Sequence, residues 1–149
     1  MQITLDNADD VTFLALVIWR EARGESMVGK IAVGYSIMNR VHSPKWWGTN
    51  ILEVLFKKLQ YSSVTDPRDK QLTTWPRKSA LWNECKTIAQ DVISGTMDNP
   101  VLGADSYHDI SIPDPYWAKK GMFVRQIGRL KFYNVDSDYE VENLPCQSS

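Results

Sequence analysis

The chain reads as an α+β domain, mainly helical, with a small β-hairpin. Three observations predict it. Apolar residues recur at helical spacing through most of the first 95 positions, and cap or stop residues bracket each run. After Gly95 the pattern breaks at Asn99-Pro100, Gly103, Pro113 and Pro115. Two short extended runs then flank Gly128. At 149 residues the chain is expected to be one domain, with its core over about residues 7–135 and a loosely held tail over 136–149.

The first helix is predicted to start near Asn7, capped by Asp6 or Asn7, with Asp9 and Asp10 in its first turn, and to end at Gly24. A second, capped by Ser26, spans 27–41 until Ser43-Pro44 stops it. Thr49 is predicted to cap a third over 50–58, with Ile51, Leu52, Leu55 and Phe56 inward. Residues 60–74 are polar and aperiodic, a loop of a length that tends to be functional. The fourth helix is predicted to begin at Trp75-Pro76 and end at Gly95. Residues 104–108 are extended, 115–120 form a helical turn closed by Gly121, and 122–127 with 129–135 make the hairpin.

Composition narrows the function classes. Lysine and arginine number 17 against 18 aspartates and glutamates, so no strong field draws the chain to nucleic acid or anionic lipid. No apolar run reaches the length of a membrane span, and the first residues lack the basic and apolar regions of a signal peptide. Some of the six tryptophans and six tyrosines are expected in the core, but flat amphipathic rings also form the floor of sugar- and ligand-binding grooves. Two histidines without ligand spacing do not suggest zinc, and Cys85 shares helical spacing with Trp82, Ile88 and Ala89, which marks it as core rather than as a nucleophile. No cofactor is expected.

Glu21 is the most informative residue. Val17, Ile18 and Leu14 lie four, three and seven residues before it, so it shares their apolar stripe, while Arg20 and Arg23 project elsewhere. A carboxylate facing hydrocarbon is costly unless paired or protonated. Burial raises its proton affinity, as a general acid working near neutral pH requires. The structural alternative is a carboxylate bonded to an arginine such as Arg40 or to helix-terminal amides.

Further motifs accompany it. Glu21-Ala22-Arg23-Gly24-Glu25, Gly29-Lys30-Ile31-Ala32-Val33 and Asn39-Arg40-Val41 resemble the opening of the SleB/CwlJ family of spore-cortex and cell-wall hydrolases. Gln60-Tyr61-Ser62 is similar to that family's Gln-Phe-Ser loop, and Gly103-Ala104-Asp105-Ser106-Tyr107-His108 to its Gly-Ala-aromatic segment. Pro115-Tyr116-Trp117 and Ile127-Gly128-Arg129-Leu130-Lys131-Phe132-Tyr133 resemble its closing motifs, so the likeness runs over about residues 10–135. One departure stands out: many members carry histidine where this chain has Leu130-Lys131, and no role is carried over to that position.

The resemblance implies a lysozyme-like or lytic-transglycosylase-like domain that cleaves the β-1,4 bond between N-acetylmuramic acid and N-acetylglucosamine, with Glu21 as its acid. Two-carboxylate glycosidases hold the pair about 5 to 5.5 Å apart for retention and about 6.5 to 9.5 Å for inversion. A lytic transglycosylase works with one and leaves a 1,6-anhydro sugar. Gln60, Tyr61 and Ser62 are the expected groove residues opposite Glu21, followed by Tyr107, His108, Trp117 and Tyr133 as sugar contacts. Glu25 is a candidate accessory carboxylate, expected to cap a helix or position Arg23 or Arg40; Asp66, Asp69 and Asp105 are further loop carboxylates that reach toward a groove. Trp46-Trp47 suit either glycan gripping or a core or lid role. Peptidoglycan glycan strands are the expected partner, with a monomeric chain, no nucleic acid and no membrane insertion. Without an export signal in the sequence, a phage endolysin made in the host cytoplasm and released to the wall is expected. The competing readings are a hydrolytic muramidase on the same fold and a non-catalytic peptidoglycan-binding module.

Overall fold

α1 (Ala8–Ala22), α2 (Met27–His42), α3 (Ile51–Phe56) and α4 (Ala80–Ser94) precede β1 (Ser106–Asp109), a 3-10 turn (Lys120–Met122), β2 (Phe123–Ile127) and β3 (Leu130–Tyr133). This computed structural model describes residues 8–57 and 79–135. The predicted loop over 60–74 and the predicted helix start at Trp75-Pro76 lie outside those residues.

α1 buries Val11, Leu14, Val17 and Ile18, and α4 answers with Cys85, Ile88, Ala89 and Val92. α2 crosses both. A Cβ at Gly34 would stand 3.2 Å from the Val92 side chain and 3.4 Å from that of Ile18, so the glycine lets three helices meet closely. Lys30, on α2, pairs with Glu84 of α4 at 2.8 Å. Among the described residues no helix is long and apolar enough to cross a membrane.

Several helix ends differ from expectation. α1 stops at Ala22, where the Glu25 amide donates to the Ala22 carbonyl at 2.9 Å, so Gly24 lies in a tight turn and is not a left-handed cap. Ser26 caps α2 as predicted, accepting from the Gly29 amide at 3.2 Å. α3 is capped by Asn50 rather than Thr49, because Thr49 hands both its amide and its hydroxyl to Glu53 Oε1 at 2.8 Å. Val54 joins Ile51 and Leu55 in its buried stripe, while Phe56 is exposed. Ser79 caps α4 through the Trp82 amide, and Gly95 closes it in the left-handed conformation.

The hairpin is one edge of a larger element. β3 pairs antiparallel with β2 and also with β1, giving the order β1-β3-β2, and the two-residue turn Gly128-Arg129 joins β2 to β3. Pro115 to Gly121 is not one helical turn. A β-turn closes from the Ala118 amide to the Pro115 carbonyl, and the 3-10 turn follows.

Polar ties from α2 hold the segment that leads into β1. The Tyr35 hydroxyl donates to the Met97 carbonyl. Asn39 donates to the carbonyls of Val101 at 3.1 Å and Ala104 at 2.7 Å. Arg40, 1 % exposed, donates from Nε to the Asp105 carbonyl at 2.6 Å, and its guanidinium lies 4.9 Å from the Trp47 ring centroid. Replacing Arg40 by leucine strands these buried acceptors. The expected loss is about 2–4 kcal/mol, read as a lower urea midpoint at unchanged slope. A loss below about 0.5 kcal/mol, the range of ordinary surface substitutions, would show the tie to be dispensable.

Candidate active site

Glu21 sits in the last turn of α1, one turn beyond the fully buried Val17 and Ile18. That position gives it an apolar flank and partial access to solvent; it is half-buried rather than enclosed. Its preceding residue, Arg20, is buried at 5 % exposure, contrary to the expectation that it projects away from the packed side. Arg23 turns back over Trp19, 4.3 Å from the ring centroid.

Among the described residues the fold brings Tyr107 to Glu21, its hydroxyl donating to Glu21 Oε1 at 2.5 Å. Tyr107 is on β1 opposite Phe132 of β3, and their rings lie 5.6 Å apart. Side chains alternate along a strand, so Tyr107, Asp109, Phe132 and Leu130 share one face of the sheet, while Ser106, His108, Lys131 and Tyr133 share the other.

That alternation divides the sugar contacts expected from sequence. His108, Trp117 and Tyr133 form a cluster on the face away from Phe132, at 5 %, 5 % and 3 % exposure. His108 stacks on Tyr133 at 5.6 Å and meets Trp117 edge-on at 5.9 Å. Its Nδ1 donates to the Asp109 carbonyl at 2.9 Å, and Nε2 stands 3.4 Å from Asp114 without forming a hydrogen bond. Only Tyr107 of these four touches Glu21. Gln60, Tyr61 and Ser62, with Asp66 and Asp69, lie outside the described residues.

The remaining candidates have definite places. Glu25 neither caps a helix nor, in the contacts seen, positions Arg40; its Oε1 accepts from the Arg129 amide at 3.1 Å and braces the β2–β3 turn. Gly128 there has φ +56°, and any Cβ would strike Glu25 Oε1. Asp105 is buried and accepts from the Val135 amide at 3.0 Å and from the Ser106 hydroxyl at 2.9 Å. Trp47 is core, 1 % exposed, with Nε1 donating to the Arg40 carbonyl, and Trp46 is half-buried beside it.

Asp109 was not singled out from sequence. It shares the face of Tyr107, accepts from the Ser111 amide at 2.8 Å and pairs with Arg129 at 3.0 Å. The Ser111 amide, then the Ser111 hydroxyl and the Arg129 guanidinium, hold its carboxyl below the usual carboxylate range against the opposing effect of burial. The only advance signal was an Asp-x-Ser triplet, a common side-chain turn.

Among the described residues, four α-helices packed over a small antiparallel sheet define the class: a domain of the lytic-transglycosylase-like fold. The chain belongs to the Cell Wall Hydrolase family, whose model matches residues 24–133, and within it is SleB/CwlJ-like. The matched span begins three residues after Glu21. The chain is 29 % identical over 126 residues to a spore cortex-lytic enzyme of Halalkalibacterium halodurans, covering 85 % of this chain and 35 % of that protein. A spore cortex-lytic enzyme of Bacillus subtilis is 34 % identical over 58 residues, 39 % of this chain and 19 % of its own length. The chain thus spans about a third or less of these curated relatives. Among solved structures it resembles the catalytic domain of Bacillus cereus SleB, with TM-score 0.67, 25 % identity and coverage of 84 % and 89 %. It also resembles the catalytic domain of the germination-specific lytic transglycosylase SleB of Bacillus anthracis, with TM-score 0.67, 24 % identity and coverage of 85 % and 94 %.

Cys85 is set apart from this chemistry. Burial pushes its thiol up to about 11, so it stays protonated through neutral pH. Iodoacetamide at pH 8 is expected to leave Cys85 unlabelled in folded protein and to modify it once urea unfolds the chain, as read by peptide mapping. Rapid labelling under native conditions would contradict that placement.

Proposed function

We propose that this chain is a peptidoglycan lytic transglycosylase in which Glu21 serves first as general acid and then as general base. The observation that carries the reading is the hydrogen bond from Tyr107 to Glu21, made across the junction of α1 and the sheet. The printed activity of the Bacillus anthracis neighbour, a lytic transglycosylase, supports it. The described residues, 8–57 and 79–135, are taken as one catalytic unit, because the main hydrophobic core draws on each described α-helix and on the sheet.

In this scheme protonated Glu21 gives its proton to the glycosidic oxygen between N-acetylmuramic acid and N-acetylglucosamine. The C1–O bond breaks, the N-acetylglucosamine end leaves with a hydroxyl, and positive charge develops on the muramic acid ring. The substrate's acetamido oxygen shelters C1. Glu21, now a carboxylate, takes the proton of the C6 hydroxyl as O6 closes on C1. The product carries a 1,6-anhydro ring, Glu21 is protonated again, and no water is consumed. Tyr107 fixes the glutamate rotamer, and its O–H stabilises the charge left after proton donation.

A hydrolytic muramidase is the second reading, and Asp109 is the observation that favours it. An ionised carboxylate on the same sheet face as Tyr107 is the kind of group that activates water. Mass spectrometry of muropeptides released from purified sacculi separates the two. Products ending in 1,6-anhydromuramic acid are expected; reducing muramic acid ends would transfer the reaction to hydrolysis, with Asp109→Asn as the variant that should then be inactive.

Glu21→Gln is expected to keep the fold and lose at least about a thousandfold of activity, as for removal of an essential general acid. Tyr107→Phe deletes one hydrogen bond to a charged group and should lower turnover by about 10- to 100-fold. Glu25→Gln should lose far less, and near-normal turnover by Glu21→Gln would sink the assignment.

A further inference from the structure

A cavity of about 440 Å³ opens at the C-terminal end of α2, lined in part by Asn39, His42, Ser43, Asn99, Leu102 and Asn134. Neither Glu21 nor Tyr107 lines it, and it falls within the size range of small-ligand sites. Its inner wall is fixed before any ligand arrives. Both Asn39 amide hydrogens are committed to the carbonyls of Val101 and Ala104, and its oxygen accepts from Asn99 at 2.9 Å. The Asn99 oxygen in turn accepts from the Val101 amide at 2.9 Å. Tyr35, also in the lining, is held by the Met97 carbonyl.

What remains around the rim is chemically consistent. The side chains of Asn134, His42 and Ser43 have no hydrogen bond among the described residues, and one amide hydrogen of Asn99 is unspent. The carboxamides and the hydroxyl both donate and accept. Beside them stand Leu102, 79 % exposed, and the edge of Trp47. The lining carboxylate, Asp105, is occupied by Val135 and Ser106. Gly103, at φ +86°, keeps the chain close to Asn134: a Cβ there would lie 3.3 Å from its amide nitrogen.

Carboxamide, hydroxyl and imidazole groups set beside apolar surface suit a ring of hydroxyls and acetamido groups, which presents paired donors and acceptors above an apolar face. A charged stem peptide would find one cation, Lys45, at the edge of this lining. We infer that this cavity is an accessory site for an N-acetylhexosamine segment of a glycan strand, separate from the bond-breaking centre. The inference rests on the proposed action on peptidoglycan. Its role is to keep the enzyme seated on the wall while Glu21 acts elsewhere on the strand or on its neighbour.

The test titrates the intact protein with tetra-N-acetylglucosamine and follows the Asn134 side-chain amide and His42 ring signals by NMR. Both are expected to shift. Asn134→Ala, with an unchanged melting temperature, should weaken retention on sacculi by about three- to tenfold, the effect of one neutral hydrogen bond, and leave turnover of short soluble glycan unchanged. Shifts confined to the surroundings of Tyr107 would overturn the site, as would shifts produced by free stem tetrapeptide and not by the sugar. Failure of the catalytic reading looks different: wild-type protein would release nothing from sacculi while the Asn134 and His42 signals still moved.

Discussion

The buried guanidinium of Arg40 sets the geometry on which the site depends. It comes from the last turns of α2, rests on Trp47 and grips the carbonyl of Asp105, the residue immediately before β1. Asn39 and Tyr35 reinforce it by holding Met97, Val101 and Ala104. A strand that begins at a fixed carbonyl has a fixed register, and a slip of one residue would send every side chain to the opposite face. Tyr107 reaches Glu21 because Asp105, two residues earlier, cannot move. The wall of the cavity at this same C-terminal end of α2 is made in part by the bonds of Asn39 and Tyr35.

That dependence explains what was legible in the sequence. The helices were, because periodicity and caps are local: Ser26 and Gly95 stand where the pattern put them. The position of Glu21 was legible too: it follows Leu14, Val17 and Ile18 along the buried stripe of α1, as its spacing put it. Its degree of burial was not. Glu21 falls in the final turn of α1, and where a helix stops is decided by the following turn rather than by the stripe. Thr49 and Asn50 illustrate the same limit: two adjacent residues can each cap, and Glu53 decides between them by taking the Thr49 donors.

The third strand was not legible as a strand because its partner lies more than twenty residues away. Residues 104–108 read as extended, but nothing local says that β3 will offer them its second edge. For the same reason the parity of His108 and Tyr133 could not be placed. Each lies next to a residue whose face matters, and motif order alone assigns neither to a side. Asp109 and the Arg40 ties belong here as well; they are contacts between segments with no shared sequence pattern.

Parity has a further consequence for carrying residue roles between relatives. Within β1 and β3 the face that meets Glu21 is taken by Tyr107, Asp109, Leu130 and Phe132, while the opposite face is closed by the packing of His108, Trp117 and Tyr133. An aromatic motif spanning consecutive residues therefore mixes a site-facing ring with a packing ring. Leu130-Lys131, where this chain departs from many family members, divides in the same way. Leu130 is buried on the face of Tyr107, whereas Lys131 reaches toward Asp114, 3.9 Å away, on the other. The missing histidine thus bears on the site only through position 130. There a buried leucine packs on the face that carries Tyr107, Asp109 and Phe132 and supplies no titratable group.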